Sequence, residues 1–200
     1  MPLFKKILKW FLLILLIAFA ALVVYRMFYL RNEAKTNEQV AKIHATKLTL
    51  DDVMGKNLPP DPGPLADQTV AGIDANRNGI RDDVELAIFK QYPASAKTRA
   101  VLLQYALALQ MEVTQVIVSE GTVIAAIQEE DRSYLCVGKI LSRDNMDKFI
   151  SESDRLRLSV KDRQFNTEQR KKARKDFYDK IGSYESLDRV CDIDYSNLPN

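Results

Sequence analysis

Histidine is nearly absent from this sequence, since His44 is the only one among 200 residues. A Ser-His-Asp triad, a two-histidine zinc site and a histidine proton relay each need an imidazole beside the reacting groups. His44 lies in a polar segment near the N-terminus, where we predict a surface position. The sequence also contains no recognisable nucleophile motif, so these classes of enzyme are not expected.

Outside the first 31 residues the sequence also lacks an excess of positive charge. The formal net charge of the whole chain is +2, yet the rest of the chain carries 24 basic and 27 acidic residues. Five basic residues account for all the charge in that first segment: Lys5, Lys6, Lys9, Arg26 and Arg31. Nucleic-acid binding needs a net basic surface, so we do not expect nucleic acid as a partner.

The most apolar part of the sequence is the segment 7–30, which only Lys9 and Arg26 interrupt. As a helix rising ~1.5 Å per residue it reaches about 36 Å, enough to cross ~30 Å of hydrocarbon. Trp10 and Tyr25 lie near its ends, where aromatic side chains favour the membrane–water interfaces. The lysines at its start favour a cytoplasmic N-terminus. We therefore predict a single-pass anchor, residues 1–31, in the inner (plasma) membrane, with a periplasmic or extracellular soluble domain.

A cleaved signal peptide is the alternative for the same segment. Ala18 and Ala20 provide the small-x-small pattern that precedes a cleavage site. Cleavage there would leave the apolar residues 21–25 as the new N-terminus, which favours the uncleaved anchor. Both interpretations export the rest of the chain from the cytosol.

The chain has two cysteines, Cys136 and Cys191. An even number of cysteines in an exported protein is typical of a disulfide, because the compartment is oxidising. Two buried thiols that never meet are the alternative. We predict the bond, which would close a loop of about 55 residues and stabilise the fold by ~4 kcal/mol.

Beyond the anchor, the patterns predict an all-α protein with three further parts. Residues 32–57 are polar and weakly helical, which indicates a stalk whose last helix ends at Gly55. Residues 58–85 contain a proline-rich connector that leads into a polar loop. Residues 86–200 show helical spacing and predict a bundle of about four to five helices. Apolar residues nearly encircle the segment 101–118, so we expect this helix at the centre of the domain.

Three residues are predicted to begin helices, because their side chains can accept hydrogen bonds from the free N–H groups of a first turn. Ser95 suits the central helix and Asp144 a later one. Asn166 with Gln169 resembles a capping box for the last helix. The sequence shows no internal repeat and no convincing pair of strands.

The stretch from Asp74 to Glu85 has the residues needed to bind a metal ion. Side-chain oxygens fall at its positions 1, 3, 5, 9 and 12, and glycine stands at position 6. Calcium binds six to eight oxygens at ~2.3–2.6 Å, and this spacing lets a short loop surround one ion. The predicted ligands are Asp74, Asn76, Asn78, the backbone carbonyl of Ile80, Asp82 and Glu85. A plain polar turn rich in asparagine and glycine is the alternative.

This pattern resembles the EF-hand calcium loop, and more closely the single, unpaired version in thrombospondin type 3 repeats and in many exported bacterial proteins. The resemblance covers about a dozen residues. Arg81 stands where paired EF-hands have an apolar residue, and a proline-rich segment replaces the preceding helix. These differences disfavour a two-hand sensor. The resemblance implies one Ca²⁺ in a structural role, and the neutral Asn76 and Asn78 predict an affinity near ~10⁻⁴–10⁻³ M.

Three other charged groups have a simpler interpretation than a functional site. The adjacent acids at 129–131 point in different directions on a helix, so we predict a solvated patch. The basic residues within 170–175 could bind an anionic surface, but we predict a solvated helix face. Asp192, Asp194 and Ser196 imitate the first three ligand positions, yet the sequence printed here offers no twelfth, so we predict an ordinary tail.

Two functions from different classes agree with these observations. The first is a membrane-anchored, calcium-binding helical module of the cell envelope, a non-enzymatic binding or scaffold protein that meets another envelope protein. The alternative is an envelope hydrolase whose carboxylates converge only in three dimensions. The single histidine and the missing nucleophile motifs favour the first, and we predict no catalytic residue.

Overall fold

A computed structural model describes residues 2–188 and 190–200 of the chain, without the side chain of Pro2. Every regular element in these residues is helical, which confirms the predicted all-α class. In chain order the α-helices are α1 Pro2–Ala45, α2 Leu50–Met54, α3 Asp82–Gln91, α4 Ala96–Thr114, α5 Glu120–Lys139, α6 Met146–Gln164 and α7 Glu168–Tyr178. A short 3-10 helix, Gly63–Asp67, lies between α2 and α3.

Helix α1 contains the apolar segment and continues without a break into the folded domain. All side chains from Leu3 to Leu30 are exposed. Among the described residues, this is the one helix long and apolar enough to cross a membrane. An apolar helix without protein neighbours needs another apolar environment, which supports the single-pass anchor. Met1 of the predicted anchor lies outside the described residues.

The polar part of α1 runs alongside α5, in the same direction. Thr36 donates from its hydroxyl to the Ser119 hydroxyl at 3.0 Å. Two turns further on, Nδ1 of His44 lies 2.9 Å from Oε1 of Glu129. Because both contacts advance along the two helices together, the anchor helix and the domain share one packed interface.

The centre of the domain is α4, as predicted. Every residue from Arg99 to Glu112 is buried, and α2, α3, α5, α6 and α7 all pack against this helix. The Ser95 hydroxyl accepts from the N–H of Thr98 at 3.1 Å, so the predicted cap of this helix is confirmed. A helix covered on all sides needs the nearly continuous apolar surface that its sequence has.

The second half of the predicted stalk packs against the domain. Ile43, Leu48 and Val53 are buried in the same apolar core as α4. Helix α2 ends at Gly55, which has a left-handed φ of 71° and confirms the predicted helix end. A Cβ at this glycine would lie 2.7 Å from the Phe89 ring. The finer division into stalk, connector and bundle stays a prediction.

Candidate metal centre

The loop from Asp74 to Glu85 is wound around the carboxylate of its first residue. Asp74 accepts from the N–H of Asn78 at 3.1 Å and from the N–H of Gly79 at 2.9 Å. Gly79 has a φ of 84°, and a Cβ there would lie 2.7 Å from Cδ1 of Leu107 on α4. The left-handed backbone therefore favours glycine at the sixth position, and a Cβ there would also force the Leu107 side chain to move.

The side chains at positions 3, 5 and 12 of the loop meet. Glu85 is 1% exposed, and its two carboxylate oxygens accept from Nδ2 of Asn76 and Nδ2 of Asn78, each at 3.1 Å. Each amide carries its oxygen on the same carbon as this nitrogen, so a half-turn of the amide would direct the oxygen toward Glu85. The three groups can thus present oxygens to a common point.

The remaining ligand candidates are arranged differently. The carboxylate of Asp82 accepts from the N–H of Ala75 at 3.0 and 3.2 Å, toward the start of the loop. Ile80 is buried and donates its N–H to Oδ1 of Asn78 at 2.9 Å. Within residues 2–188 and 190–200, no three side chains of His, Cys, Asp or Glu form a group that could hold a metal ion. The acids at positions 1, 9 and 12 therefore do not converge by themselves.

The interior of the loop carries negative charge without a positive partner. Among the described residues, no Lys, Arg or His forms an ion pair with Glu85. Burial raises the pKa of Glu85 to about 7, although the hydrogen bonds from its two amide partners oppose the rise. Burial also raises the pKa of Asp82. A donor set of carboxylate and amide oxygens around uncompensated charge suits a hard divalent cation, so the residues present fit calcium.

Arg81, at the eighth position of the loop, joins it to the end of α6. Its side chain is fully buried, and it donates to the carbonyl of Gln164 at 3.0 Å and to that of Arg163 at 2.7 Å. Asp83 accepts two further hydrogen bonds from the same guanidinium. The last carbonyls of a helix have no partner within it, and Arg81 provides one. The position that paired EF-hands use for an apolar contact is thus occupied by a helix-capping arginine.

A second buried arginine, Arg170 on α7, holds the connector that precedes the loop. It donates to the carbonyls of Ala66, Thr69 and Val70 and to the carboxylate of Asp67. The predicted solvated basic face is therefore wrong for this residue, which is 0% exposed. It is also wrong in part for Arg174, whereas Lys171, Lys172 and Lys175 are exposed as predicted.

Comparisons with protein-family models, with curated proteins and with solved structures find no match for this chain. The resemblance to single calcium loops therefore rests on residues 74–85 and on the contacts described above. It stays a prediction.

The disulfide between Cys136 and Cys191 is present, as predicted, and it ties the C-terminal segment to α5. The segment is also held by Gln104 on α4, which donates to the carbonyl of Val190 at 2.9 Å and accepts from the N–H of Asp192 at 2.9 Å. The predicted ordinary tail is thus wrong for Asp192, which is buried beside the disulfide.

A buried ion cluster connects α1, α5 and this segment. Glu129 accepts from Nζ of Lys47 at 2.8 and 2.9 Å and from Nε of Arg132 at 2.5 Å, and Arg132 also pairs with Asp192. Burial disfavours the charged form of Glu129, but the hydrogen bonds to it outweigh burial and lower its pKa. The predicted solvated patch is therefore wrong at Glu129, and His44, which contacts it, is not a simple surface residue.

Two further carboxylates, Glu112 and Glu130, meet at Arg174. Nε of Arg174 donates to Glu112 at 2.8 Å, and its Nη2 lies 3.4 Å from Glu130, which also accepts from the Tyr178 hydroxyl. Burial, together with the charge of Glu130, raises the pKa of Glu112 to about 8. The Glu112 side chain is 0% exposed, and its Oε1 has no hydrogen-bond partner in the described chain. Glu112 is therefore enclosed, whereas the side chain of Glu130 is 16% exposed, so the two carboxylates do not both reach solvent as those of a catalytic dyad would.

Proposed function

We propose that the protein is a membrane-anchored, calcium-binding helical module of the cell envelope, with calcium in a structural role. The observation that carries the proposal is the buried Glu85, which faces two asparagines of the loop and has no positive partner in the described chain. A bound divalent cation would supply the missing positive charge. Its ligands would be Asp74, Asn76, Asn78, the carbonyl of Ile80, Asp82 and Glu85.

The proposed role of calcium is to fix the connector and the loop against the helical domain. The loop is already fastened on its two sides, by Arg81 to the end of α6 and by Arg170 through the connector. An ion bound inside the loop would hold Asp74, at the start of the loop, and Glu85, in the first turn of α3, together. The helical surface would then be a rigid platform for another envelope protein, in a non-enzymatic binding or scaffold role.

The proposed location is the inner (plasma) membrane, with the domain outside the cytosol. The exposed apolar part of α1 and the disulfide support it, because stable disulfides belong to oxidising compartments. Between Leu30 and Thr36 the helix rises about 9 Å at ~1.5 Å per residue. Since Thr36 already contacts Ser119, the proposed domain rests close to the outer face of the membrane.

Calcium is expected to raise the melting temperature of the full-length chain in non-ionic detergent. With free ion at ten times its dissociation constant, binding would stabilise the fold by ~1.4 kcal/mol. This corresponds to a rise of about 3–6 °C in the melting temperature. Glu85→Gln keeps the shape of the side chain but removes its charge, so it should abolish the shift. Asp74→Ala should do the same, and it should also lower the basal stability because two backbone N–H groups lose their acceptor. Paired melts with calcium and with chelator measure each shift.

The matched control is Asp194→Ala, which removes an exposed carboxylate outside the loop. This variant should keep the full calcium-dependent shift. Titration calorimetry on the same samples gives the stoichiometry, expected to be one ion per chain. Absence of binding at millimolar calcium, or equal shifts in wild type and Glu85→Gln, would show that residues 74–85 are only a polar turn.

A reporter that functions only outside the cytosol should be active when fused after Asn200. The physical reason is the apolar segment of α1, whose preceding lysines favour the cytoplasmic side. The full-length chain should also stay with the membranes during carbonate washing. Activity of a cytosol-only reporter at the same position would contradict the topology, and release of the full-length chain would contradict the anchor.

The alternative, an envelope hydrolase, would need two carboxylates that reach a substrate. Glu112 and Glu130 are two carboxylates that meet at one side chain, Arg174, which lies 2.8 Å from the first and 3.4 Å from the second. Glu112 is inaccessible, and both acids are engaged by the same arginine. This geometry favours the non-enzymatic proposal.

A further inference from the structure

An open cleft of about 620 Å³ lies between the end of α6 and α7, and none of its lining residues belongs to the loop 74–85. Its lining contains four positive side chains, Lys161, Lys171, Arg174 and Lys175. Two aromatic rings, Phe165 and Tyr178, and a single acid, Asp162, are also part of it. Apolar rings combined with a few converging polar groups are typical of small-molecule sites. The proposed calcium function uses none of these residues.

Arg174, one of the residues that line this cleft, is held in place by several contacts. Its guanidinium carbon lies 4.8 Å from the centre of the Phe165 ring and 4.7 Å from the centre of the Tyr178 ring. Nε donates to Glu112 at 2.8 Å, and Nη2 donates to the Tyr178 hydroxyl at 3.0 Å. An arginine fixed in this way has already lost the rotamer freedom that ligand binding would otherwise remove.

One end of the Arg174 guanidinium remains available. Nη1 forms no hydrogen bond within the described chain, and the side chain, which lines the cleft, is 20% exposed. An arginine nitrogen carries N–H groups that bind phosphate oxygens well. The two N–H groups of Nη1 are therefore unused within the described chain and are available to a ligand in this cleft.

The three lysines that line the cleft with Arg174 can also contact a bound anion. In the described residues Lys161 has no ion-pair partner within 4 Å. Lys171 pairs only with the exposed Glu168 on α7, and Lys175 only with the exposed Asp179, which directly follows α7. Exposed ion pairs of this kind stabilise a fold only weakly, so a ligand can replace them at small cost. Four positive groups around one cleft provide for the two charges of a phosphate monoester.

We propose that this cleft binds a small phosphate monoester that carries an aromatic or other apolar group. The phosphate would contact Nη1 of Arg174 together with the lysines. The apolar group would pack mainly on Tyr178 and on the small part of Phe165 that is exposed. The two negative charges of the phosphate suit the positive side chains that line the cleft. Contact with the rings predicts tighter binding than that of inorganic phosphate, which has no apolar group. The proposal is independent of calcium binding by residues 74–85.

Titration calorimetry with phenyl phosphate, inorganic phosphate and phenol tests this proposal on the full-length chain in non-ionic detergent and low-salt, calcium-free buffer. Phenyl phosphate should bind one site per chain, more tightly than either of the other two probes. Lys161→Gln and Lys175→Gln should each raise its dissociation constant about tenfold, since each removes a charge-assisted hydrogen bond. Lys148→Gln is the matched control, because Lys148 lies on α6, is exposed and does not line the cleft.

Arg174→Lys should weaken phenyl phosphate binding at least as much as either lysine variant does, because lysine cannot reproduce the fixed planar donor. If this variant does not fold, the two lysine variants decide. Absence of saturable phenyl phosphate binding would overturn the proposal. Equal losses in Lys148→Gln and Lys161→Gln would also overturn it, by showing that only the general charge of α6 matters. Equal affinity for phenyl phosphate and inorganic phosphate would reject the role of the rings.

Discussion

Removal of the disulfide by Cys136→Ala with Cys191→Ala is expected to lower the free energy of unfolding by ~4 kcal/mol. The bond closes a loop with a sequence separation of 55 residues, and its main effect is to restrict the unfolded chain. The native contacts of the segment, from Gln104 to Val190 and Asp192, remain possible without it. The native helix content should therefore change little, while urea unfolding of the full-length chain in non-ionic detergent should shift to clearly lower concentrations.

Reduction of the wild-type protein should reproduce the effect of the double variant. The double variant itself is the control for the reductant, since it has no disulfide left to break and should not respond. Thiol labelling of unfolded, unreduced protein should detect no free cysteine. Two labelled thiols per chain in freshly purified material would contradict the bond, and an unchanged unfolding midpoint after complete reduction would contradict its energetic role.

The predictions that succeeded were those for which local sequence and tertiary structure favour the same position or the same backbone conformation for a residue. The apolar segment of α4 could be assigned to the centre because nearly every face of that helix is apolar. Gly55 and Gly79 could be placed at turns because their backbone has left-handed φ values, which glycine adopts without strain. The disulfide followed from the number of cysteines and the expected compartment.

Helix starts were predicted less accurately where two good caps are adjacent. Asp144 was the predicted cap of α6, but Asn145 accepts from the N–H of Lys148 at 2.9 Å. Asn166 was the predicted cap of α7, but Thr167 accepts from the N–H of Arg170 at 3.3 Å. All four of these residues have side chains that can cap a helix, so local sequence cannot choose between neighbours. Tertiary packing fixes the start of each helix.

The buried charges were missed because the residue type was given more weight than the helical position. Arg170, Arg174 and Phe177 lie on one stripe of α7, so the helical spacing places the two arginines on the side of the helix that carries an apolar ring. On α5, Glu129 and Cys136 likewise share the buried side. The helical spacing carried this signal. No such signal identifies the partners of these charges, because Lys47 is 82 residues from Glu129 and Ala66 is 104 residues from Arg170.

The largest loss of stability from a single substitution is expected for Arg170→Met. This change would leave the carbonyls of Ala66, Thr69 and Val70, with the carboxylate of Asp67, without their common donor. Loss of one partner from a buried charged network costs about 3–5 kcal/mol. Asp67 is half exposed and can be hydrated, which places the expected loss near the lower end of that range. Urea unfolding of the full-length chain in non-ionic detergent measures it.

Arg170→Lys should recover little of this stability, because one ammonium group cannot reach acceptors that a planar guanidinium contacts from several nitrogens. The matched control is Lys171→Met, which alters the next, exposed residue and should change the stability by no more than ~0.5 kcal/mol. Amide hydrogen exchange gives the spatial test: protection should fall in residues 66–72 of the Arg170→Met variant, while α5 keeps its protection. Since the same connector leads into the loop 74–85, calcium affinity should fall as well, if the ion binds there. Uniform loss of protection over all helices would show that Arg170 supports the whole core and not the connector.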